Sequence, residues 1–328
     1  MSYIADRNRY NQLSYERCGH SGVLLPPISL GLWHNFGLAD DYENARRLIH
    51  TAFDSGITHF DLANNYGPPP GSAETCFGRI LMQDLVSHRD ELFIATKASH
   101  LMWDGPYGDW GSRKHMIASI NQSLSRMKLE YVDVFYAHRY DPNTPIEETV
   151  GALITAVQSG KALYAGISKF PEHAAKKAYD LLTEAKVPCL VHQLRYNMLD
   201  RGAETVAFPL LRERQIGCVA FSPLAQGILT NKYLQDIPTD SRAAGSSVFL
   251  NPDRVVEQRD RIVQLVSLAE SRGQSLAQMA ISWVLRRPEV TSALIGASKP
   301  EQITDCLAAA QNIEFSEEEL SLIDTICR

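Results

Sequence analysis

The 328-residue chain lacks the features that define several large classes of protein. Its first residues contain no apolar core of a secretory signal, and no stretch approaches the roughly 20 apolar residues that cross a bilayer. The net charge of −6 and the pI near 5.9 argue against nucleic acid or an anionic membrane as the main partner. We therefore expect a soluble protein whose partner is neither nucleic acid nor membrane.

Cysteine is sparse and scattered, with no C-x-x-C pair among positions 18, 76, 189, 218, 306 and 327. Cys189 and Cys218 lie inside apolar runs, where a reduced thiol behaves as a small hydrophobic group. This distribution fits a reducing cytoplasm better than a disulfide framework. The sequence therefore predicts a cytoplasmic protein.

The common nucleotide and metal motifs are also missing. No G-x-G-x-x-G follows a strand and no G-x-x-x-x-G-K-[ST] occurs, which argues against Rossmann and P-loop sites. His34, His59, His100 and His138 would be available to a metal-dependent barrel hydrolase. No H-x-H or H-E-x-x-H spacing supports that alternative, so we expect no bound metal.

What the sequence does contain is a repeated alternation of apolar runs and amphipathic segments. The first amphipathic segment places Ala45, Leu48 and Ala52 on one face at helical spacing. The apolar runs are 28–32, 57–61, 92–96, 132–136, 163–167, 189–193, 217–221 and 293–296. The helical segments are 42–55, 72–85, 112–128, 146–158, 171–186, 203–214, 275–286 and 300–311. Eight such units predict one (β/α)₈ TIM barrel over residues 1–328 rather than an open doubly wound sheet.

Three segments fall outside the repeat. Residues 13–25 carry a turn between two short strand-like pieces, which predicts a β-hairpin that caps the bottom of the barrel. The tail 315–327 predicts an extra C-terminal helix on the outside. Residues 222–252 show little regular pattern but contain Lys232 and Arg242. We interpret this stretch as a loop that covers a phosphate-bearing ligand at the barrel mouth.

Asp61, Tyr66, Lys97 and His138 lie at the ends of three consecutive apolar runs or just beyond them. Parallel strands deliver such residues to one rim of a barrel. An ammonium beside a tyrosine favours its phenolate, and a carboxylate keeps that ammonium charged. A neutral imidazole could then orient a carbonyl. Together the four residues predict a proton donor for carbonyl reduction.

Four later segments qualify as a cofactor rim, because βα loops late in a barrel often bind phosphate. They are G-I-S-K-F at 166–170, V-H-Q-L-R-Y-N at 191–197, A-F-S-P-L-A-Q-G at 220–227 and I-G-A-S-K-P-E-Q at 295–302. The last leads from a strand into a helix N-terminus, a site suited to an anion.

These motifs, with D-L-A-N-N-Y-G and A-H-R-Y-D, resemble the aldo-keto reductases in order and over nearly the whole chain. The branch that contains potassium-channel β-subunits is the most similar. Within it, W-H-N-F-G and N-N-Y-G-P-P-P-G-S-A-E look like bacterial L-glyceraldehyde-3-phosphate reductases. The resemblance implies reduction of small aldehydes such as L-glyceraldehyde 3-phosphate and methylglyoxal.

The resemblance also implies roles for individual residues. Tyr66 would be the acid, Lys97 would polarise it, and Asp61 would hold Lys97, while His138 would position the substrate with Trp33 nearby. NADPH would bind without a Rossmann fold. Its contacts would come from Gly31, Trp33, Asp61, Ser168, Gln193, Phe221, Ser222, Leu224, Gln226, Lys232, Arg242, Gly296, Ser298, Gln302 and Asp305.

This chain departs from the family pattern at several positions. Lys169 stands where many relatives have Asn, and Gln302 stands where reductases with a strong NADPH preference have Arg. The alternative function is a cofactor-binding, redox-sensing regulatory subunit like the channel subunits. Those subunits carry Asn at the position of His138, so the histidine favours a working reductase. Relatives of the channel type form homo-oligomers, so a tetramer or octamer is an expectation.

Overall fold

The eight apolar runs form a closed parallel barrel. In the computed structural model, which describes residues 3–234, 236–238, 243–244 and 250–327, the last strand of the repeat pairs with the first and closes the sheet. The barrel strands are β3 Ile28–Gly31, β4 His59–Asp61, β5 Phe93–Ala98, β6 Val132–Ala137, β7 Ala162–Ser168, β8 Cys189–Arg195, β9 Gly217–Phe221 and β10 Val290–Ile295. Each overlaps its predicted run, and the TIM-barrel prediction is confirmed.

Helices surround the barrel, and the first of them, Tyr42–Asp54 (α1), packs on it through one apolar face. In α1, the residues Ala45, Leu48 and Ala52 are fully buried, as their spacing predicts. The helices are α1 Tyr42–Asp54, α2 Ser72–Ile80, α3 Arg113–Met127, α4 Ile146–Gln158, α5 Glu172–Glu184, α6 Ala207–Arg214, α7 Pro252–Ser271, α8 Leu276–Leu285, α9 Pro300–Leu307 and α10 Glu317–Cys327.

The N-terminal hairpin closes the bottom of the barrel, as predicted. Strands β1 Glu16–Arg17 and β2 Leu24–Leu25 pair in antiparallel register. The backbone N–H of His20 donates to the carbonyl of Gln215 at 2.8 Å, immediately before β9. Gly19 has a φ of +58°, and an added Cβ would lie 2.2 Å from that same carbonyl oxygen. The hairpin therefore packs so closely that only glycine fits at its turn.

A helix that was not predicted follows the loop after β9. Residues 225–227 and 231–233 form short 3₁₀ turns, and Pro252 begins the 20-residue helix α7, which the pattern of apolar residues did not predict. Only a narrow face of α7 is buried, at Val255, Ile262, Leu265 and Ala269. The Asn251 side chain caps this helix by accepting from the N–H of Arg254 at 2.9 Å. The Asn251-Pro252 pair was thus the sequence signal that could have predicted the start of α7.

The C-terminal helix α10 lies on the outside of the barrel, as predicted. Arg272, just after α7, pairs with Glu319 of α10 at 2.6 Å, and Arg201 pairs with Asp324 at 2.5 Å. Throughout the described part of the chain, no helix is both long and apolar enough to cross a membrane.

Candidate active site

The strand register brings the predicted ionisable residues to one rim. Asp61 ends β4, Lys97 lies near the end of β5, and His138 follows β6 directly. Parallel pairing aligns Asp61 with Ala95 and Lys97 with Tyr136 across neighbouring strands. Since all eight strands run in one direction, their carboxyl ends form a single face of the barrel.

Lys97 is the centre of a buried polar cluster. Its Nζ lies 2.5 Å from Oδ2 of Asp61, 2.7 Å from the carbonyl oxygen of Leu62 and 3.3 Å from the hydroxyl of Tyr66. An ammonium has three N–H donors, and these three acceptors use all of them. The Tyr66 oxygen therefore accepts from Lys97, which leaves the proton of its own hydroxyl free for another acceptor.

The loop after β4 holds Tyr66 in place through its backbone. The N–H of Asn64 donates to the carbonyl of Lys97 at 2.9 Å, and the N–H of Ala73 donates to the carbonyl of Tyr66 at 3.2 Å. Gly67 follows with a φ of +75°, where a Cβ would lie 2.5 Å from the Ser72 hydroxyl. The Tyr-Gly pair thus allows the chain to turn sharply into α2.

His138 packs beside the tyrosine on the barrel mouth. Its ring centroid lies 5.8 Å from that of Tyr66 and 4.5 Å from that of His100. Burial, followed by the positive charge of Lys169, holds the pKa of His138 well below its usual 6.5. The imidazole is therefore neutral at pH 7. Its Nδ1 is buried and has no hydrogen-bond partner in the part of the chain that the structure describes.

Tyr66 is protonated in the folded site. Burial, followed by the Asp61 carboxylate, raises the pKa of Tyr66 well above 10, while the ammonium of Lys97 lies 3.3 Å from its hydroxyl. Burial also lowers the pKa of Lys97, which the paired Asp61 opposes. The resting site thus contains a protonated tyrosine, which is the form that a proton donor requires.

Two predicted cofactor residues lie at the ends of adjacent strands. Ser168 ends β7 and Gln193 lies within β8, and they are paired in register. Gln193 Nε2 donates to Oδ1 of Asp61 at 2.9 Å. The hydroxyl of Ser168 is buried, and no described residue hydrogen-bonds to it. An incoming polar group, such as a carboxamide, could satisfy it.

The turn after β9 is built from backbone conformations that few residues adopt. Ser222 and Gln226 have φ values of +56° and +63°, and Gln226 Nε2 donates to the Ser222 hydroxyl at 2.9 Å. Asn197 Nδ2 donates to the Ser222 carbonyl at 2.9 Å. Phe221 and Leu224, on either side of Ser222, are half-buried. This turn is therefore held in one conformation beside the carboxyl end of β10.

The segment after β10 leads into α9, and Gln302 organises it. Gln302 Oε1 accepts from the N–H of Ser298 at 2.8 Å and from the N–H of Lys299 at 3.2 Å. At Gly296, an added Cβ would meet nothing within 4 Å, so the backbone there is open. Asp305 lies further along α9 and accepts from Gln278 Nε2 of α8 at 2.7 Å. Its carboxylate is thus already engaged within the fold.

The remaining predicted contacts are spread around the mouth. Gly31 ends β3, and the ring of Trp33 lies 6.3 Å from that of Tyr66. Lys232 is exposed on the turn 231–233, beside a shallow cavity of about 310 Å³ that Leu234, Asp236 and Pro238 also line. Arg242 lies outside the described residues.

A buried carboxylate behind the site was not predicted from the sequence. Glu74 of α2 is fully buried, accepts from the hydroxyl of Thr96 at 2.5 Å and pairs with Arg126 Nε of α3 at 2.7 Å. Thr96 directly precedes Lys97 in β5. The only available signal was the S-A-E sequence at the start of α2, which does not reveal that α3 supplies the partner.

A second site residue absent from the predicted set is Lys169, which lies immediately after Ser168. Its Nζ lies 3.4 Å from Nε2 of His100 at the mouth. No cluster of three or more His, Cys, Asp or Glu side chains that could hold a metal ion occurs among the described residues.

Comparison with known proteins supports this chemistry. The model of the Aldo/keto reductase family matches residues 27–328. Two L-glyceraldehyde 3-phosphate reductases, from Escherichia coli O157:H7 and Escherichia coli strain K12, are each 53% identical over 329 residues. Each match covers 99% of this chain and 95% of the relative.

The match extends over the barrel, the Lys97 cluster and the rim that follows β7 to β10. Similarity of this extent makes the protein an oxidoreductase, and the predicted resemblance is confirmed. The chain belongs to the aldo/keto reductase family.

Proposed function

We propose that the protein reduces short aldehydes with NADPH, and that L-glyceraldehyde 3-phosphate is its main substrate. One observation carries the chemical part of the proposal. Lys97 uses its three N–H donors on Asp61, Leu62 and Tyr66, so the Tyr66 oxygen accepts from Lys97 and its own proton remains available to another acceptor. Tyr66 is thus poised as a general acid.

Tyr66 would protonate the carbonyl oxygen as the carbonyl carbon is reduced. Its high pKa keeps the proton in place until the oxygen becomes basic. The phenolate that remains would be stabilised by the ammonium of Lys97, 3.3 Å away. Asp61, buried and 2.5 Å from Lys97, would keep that ammonium charged throughout.

His138 would orient the carbonyl. Its ring is neutral and lies against Tyr66, so a ring N–H can donate to the same oxygen without competing as a stronger acid. A neutral donor that holds the carbonyl oxygen near Tyr66 places the substrate in a reactive orientation and so lowers the entropic cost of the reaction. This role remains separate from that of Tyr66, which moves the proton.

The rim residues fit a nicotinamide cofactor. The buried Ser168 hydroxyl lacks a hydrogen-bond partner among the described residues. The turn at Ser222 and the open backbone at Gly296 lie at the carboxyl ends of the later strands. We propose that Ser168 and Gln193 hold the carboxamide, Phe221 stacks on the ring, and the phosphates follow Ser222, Leu224, Gln226 and Lys232. NADPH, when bound, supplies the hydride.

The substrate assignment comes from the relatives and from the shape of the mouth. Both Escherichia coli proteins are named L-glyceraldehyde 3-phosphate reductase. The ring of Trp33 lies 6.3 Å from that of Tyr66, so a bulky side chain borders the site, which favours short substrates. We therefore propose short aldehydes, methylglyoxal among them, ahead of long aliphatic aldehydes and steroids.

Steady-state kinetics would test the proposal. The purified protein is supplied with NADPH or NADH and with L- and D-glyceraldehyde 3-phosphate, methylglyoxal and a long-chain aldehyde, and nicotinamide absorbance is followed. We expect the highest kcat/KM for the L-phosphate with NADPH. Tight NADPH binding without turnover of any aldehyde would instead favour a redox-sensing subunit.

A further inference from the structure

Lys169 occupies a fixed position at the barrel mouth. It follows Ser168 at the end of β7 with a φ of +57°, and its backbone N–H donates to the carbonyl of Gln193 at 3.2 Å. The residue as a whole is exposed, but its Nζ reaches the mouth and lies 3.4 Å from Nε2 of His100. The two side chains come from the β7 and β5 loops and meet across the mouth.

The charge of Lys169 is not neutralised within the described structure. The other cations near the mouth have acidic partners, since Lys97 pairs with Asp61 and Arg139 pairs with Asp109 at 2.6 Å. No described carboxylate lies within ion-pair distance of Lys169. The mouth therefore carries an excess positive charge at one defined place.

This charge lies on the side of the site that His138 faces. The ring of His100 packs edge-on against that of His138 at 4.5 Å, and His138 packs against Tyr66 at 5.8 Å. The order Tyr66, His138, His100, Lys169 thus runs from the proton donor to the free ammonium. A substrate whose carbonyl lies at Tyr66 and His138 would extend its far end towards Lys169.

We propose that Lys169, held by His100, binds the phosphate group of the substrate. The inference rests on the proposed reduction of a glyceraldehyde phosphate and names the part of the site that would select it. A phosphate monoester carries about −1.5 to −2 charges at pH 7 and three strong acceptor oxygens. Lys169 has two N–H donors besides the one directed to His100, and both remain for these oxygens.

His100 acts as a positioning residue in this arrangement. Burial, followed by the charges of Lys169 and Arg139, lowers the pKa of His100 to about 4, so its ring is neutral and Nε2 accepts from the ammonium. A neutral acceptor orients Lys169 without cancelling its charge. A carboxylate at the same place would neutralise the ammonium and repel the phosphate.

The ratio of kcat/KM for L-glyceraldehyde 3-phosphate to kcat/KM for unphosphorylated L-glyceraldehyde measures this preference. We expect Lys169→Met to lower that ratio about 10- to 100-fold, the usual size of a charge-assisted hydrogen bond. Most of the change should be in KM for the phosphate. Lys169→Arg should retain most of the ratio, and Lys176→Met, on an exposed α5 ion pair, is the matched control.

Inorganic phosphate is a second probe. At saturating NADPH, it should inhibit reduction of glyceraldehyde competitively in the wild type and several-fold more weakly in Lys169→Met. An equal loss of kcat/KM with both aldehydes, or a weaker Kd for NADPH that accounts for the loss, would assign Lys169 to the cofactor and overturn the inference.

The two proposals fail in different ways. Wild-type protein that reduces neither aldehyde contradicts the proposed function, whereas wild type that prefers the phosphate by the same ratio as Lys169→Met contradicts only the role of Lys169. For His100, the Gln variant keeps an acceptor near the position of Nε2 and should keep most of the ratio. The Leu variant should reduce it, and equal ratios in both would remove His100 from the site.

Discussion

The ammonium of Lys97 and the carboxylate of Asp61 form an ion pair with no exposed surface, at 2.5 Å. Two charges taken out of water are stable only when each has its full set of partners. Here Gln193 donates to the second Asp61 oxygen at 2.9 Å, and Lys97 donates to Leu62 and Tyr66. The ion pair therefore holds a positive charge beside the hydroxyl of Tyr66.

Replacing Tyr66 by Phe should remove most of the reductase activity while leaving NADPH binding nearly intact. The change deletes the proton donor and little volume, and general acid catalysis contributes about 10²- to 10⁴-fold. The measurements are kcat with glyceraldehyde 3-phosphate and Kd for NADPH by fluorescence. A variant that retains more than about a tenth of the wild-type kcat would exclude Tyr66 as the acid.

Replacing Lys97 by Met should impair the same step, since it removes the charge 3.3 Å from the Tyr66 oxygen. The defects of Lys97→Met and Tyr66→Phe should not add, because residues that act as a unit give non-additive losses. The check is a double-mutant cycle on kcat. Losses that multiply in the double variant would mean that Lys97 acts independently of the tyrosine.

Replacing Glu74 by Ala should destabilise the protein by about 3–5 kcal/mol, because it leaves Arg126 without its buried partner and the Thr96 hydroxyl without its acceptor. Urea unfolding measures the change. Lys176→Met breaks the exposed pair with Glu172 and should cost at most about 1 kcal/mol. A Glu74→Ala cost as small as that of the control would show that the network adds little.

The preference for a phosphorylated aldehyde should fall as the pH rises. Desolvation of the ammonium group at the mouth, followed by the charges of Lys97 and Arg139, lowers the pKa of Lys169 from 10.5 to about 8. Lys169 is thus charged below about pH 8 and loses its charge above it. Of the facing groups, His100 has a pKa of about 4 and stays neutral in this range. Lys97 acts at the carbonyl, which both aldehydes share, so any change in its charge cancels from the ratio of their kcat/KM values.

The ratio of kcat/KM for the phosphorylated to the unphosphorylated aldehyde, measured from about pH 7 to about pH 9.5, reports the free enzyme. The substrate phosphate titrates near pH 6 and is a constant dianion over most of this range. In Lys169→Arg the ratio should stay level. A fall of equal size in that variant would place the titrating group elsewhere.

The sequence by itself determined the barrel fold and the face of the barrel on which the candidate catalytic residues lie. The eight apolar runs have the length and spacing of buried parallel strands, and such strands deliver their last residues to one face. The grouping of Asp61, Lys97 and His138 followed from that register alone. The hairpin cap was predicted from a turn between two short strand-like pieces, and the outer helix α10 was predicted from the start of the tail at residue 315.

Helix α7 was missed although four of its residues are buried at helical spacing, because Val256 and Val263 are apolar but exposed and obscure the boundary of its buried face. The direction in which the pKa of Tyr66 is shifted could not be predicted from the sequence. Sequence shows that a lysine can reach the hydroxyl, whereas the pKa depends on how much water the folded site excludes.

The tertiary structure alone decided which distant residues meet. Glu74 and Arg126 lie 52 positions apart, and Lys169 and His100 lie 69 apart, on helices or loops whose relative placement depends on packing around the barrel. Local patterns report which face of an element is buried, but they carry no information about which neighbour covers it. The ion pair between Glu74 and Arg126 and the contact between Lys169 and His100 could therefore be found only in the folded barrel.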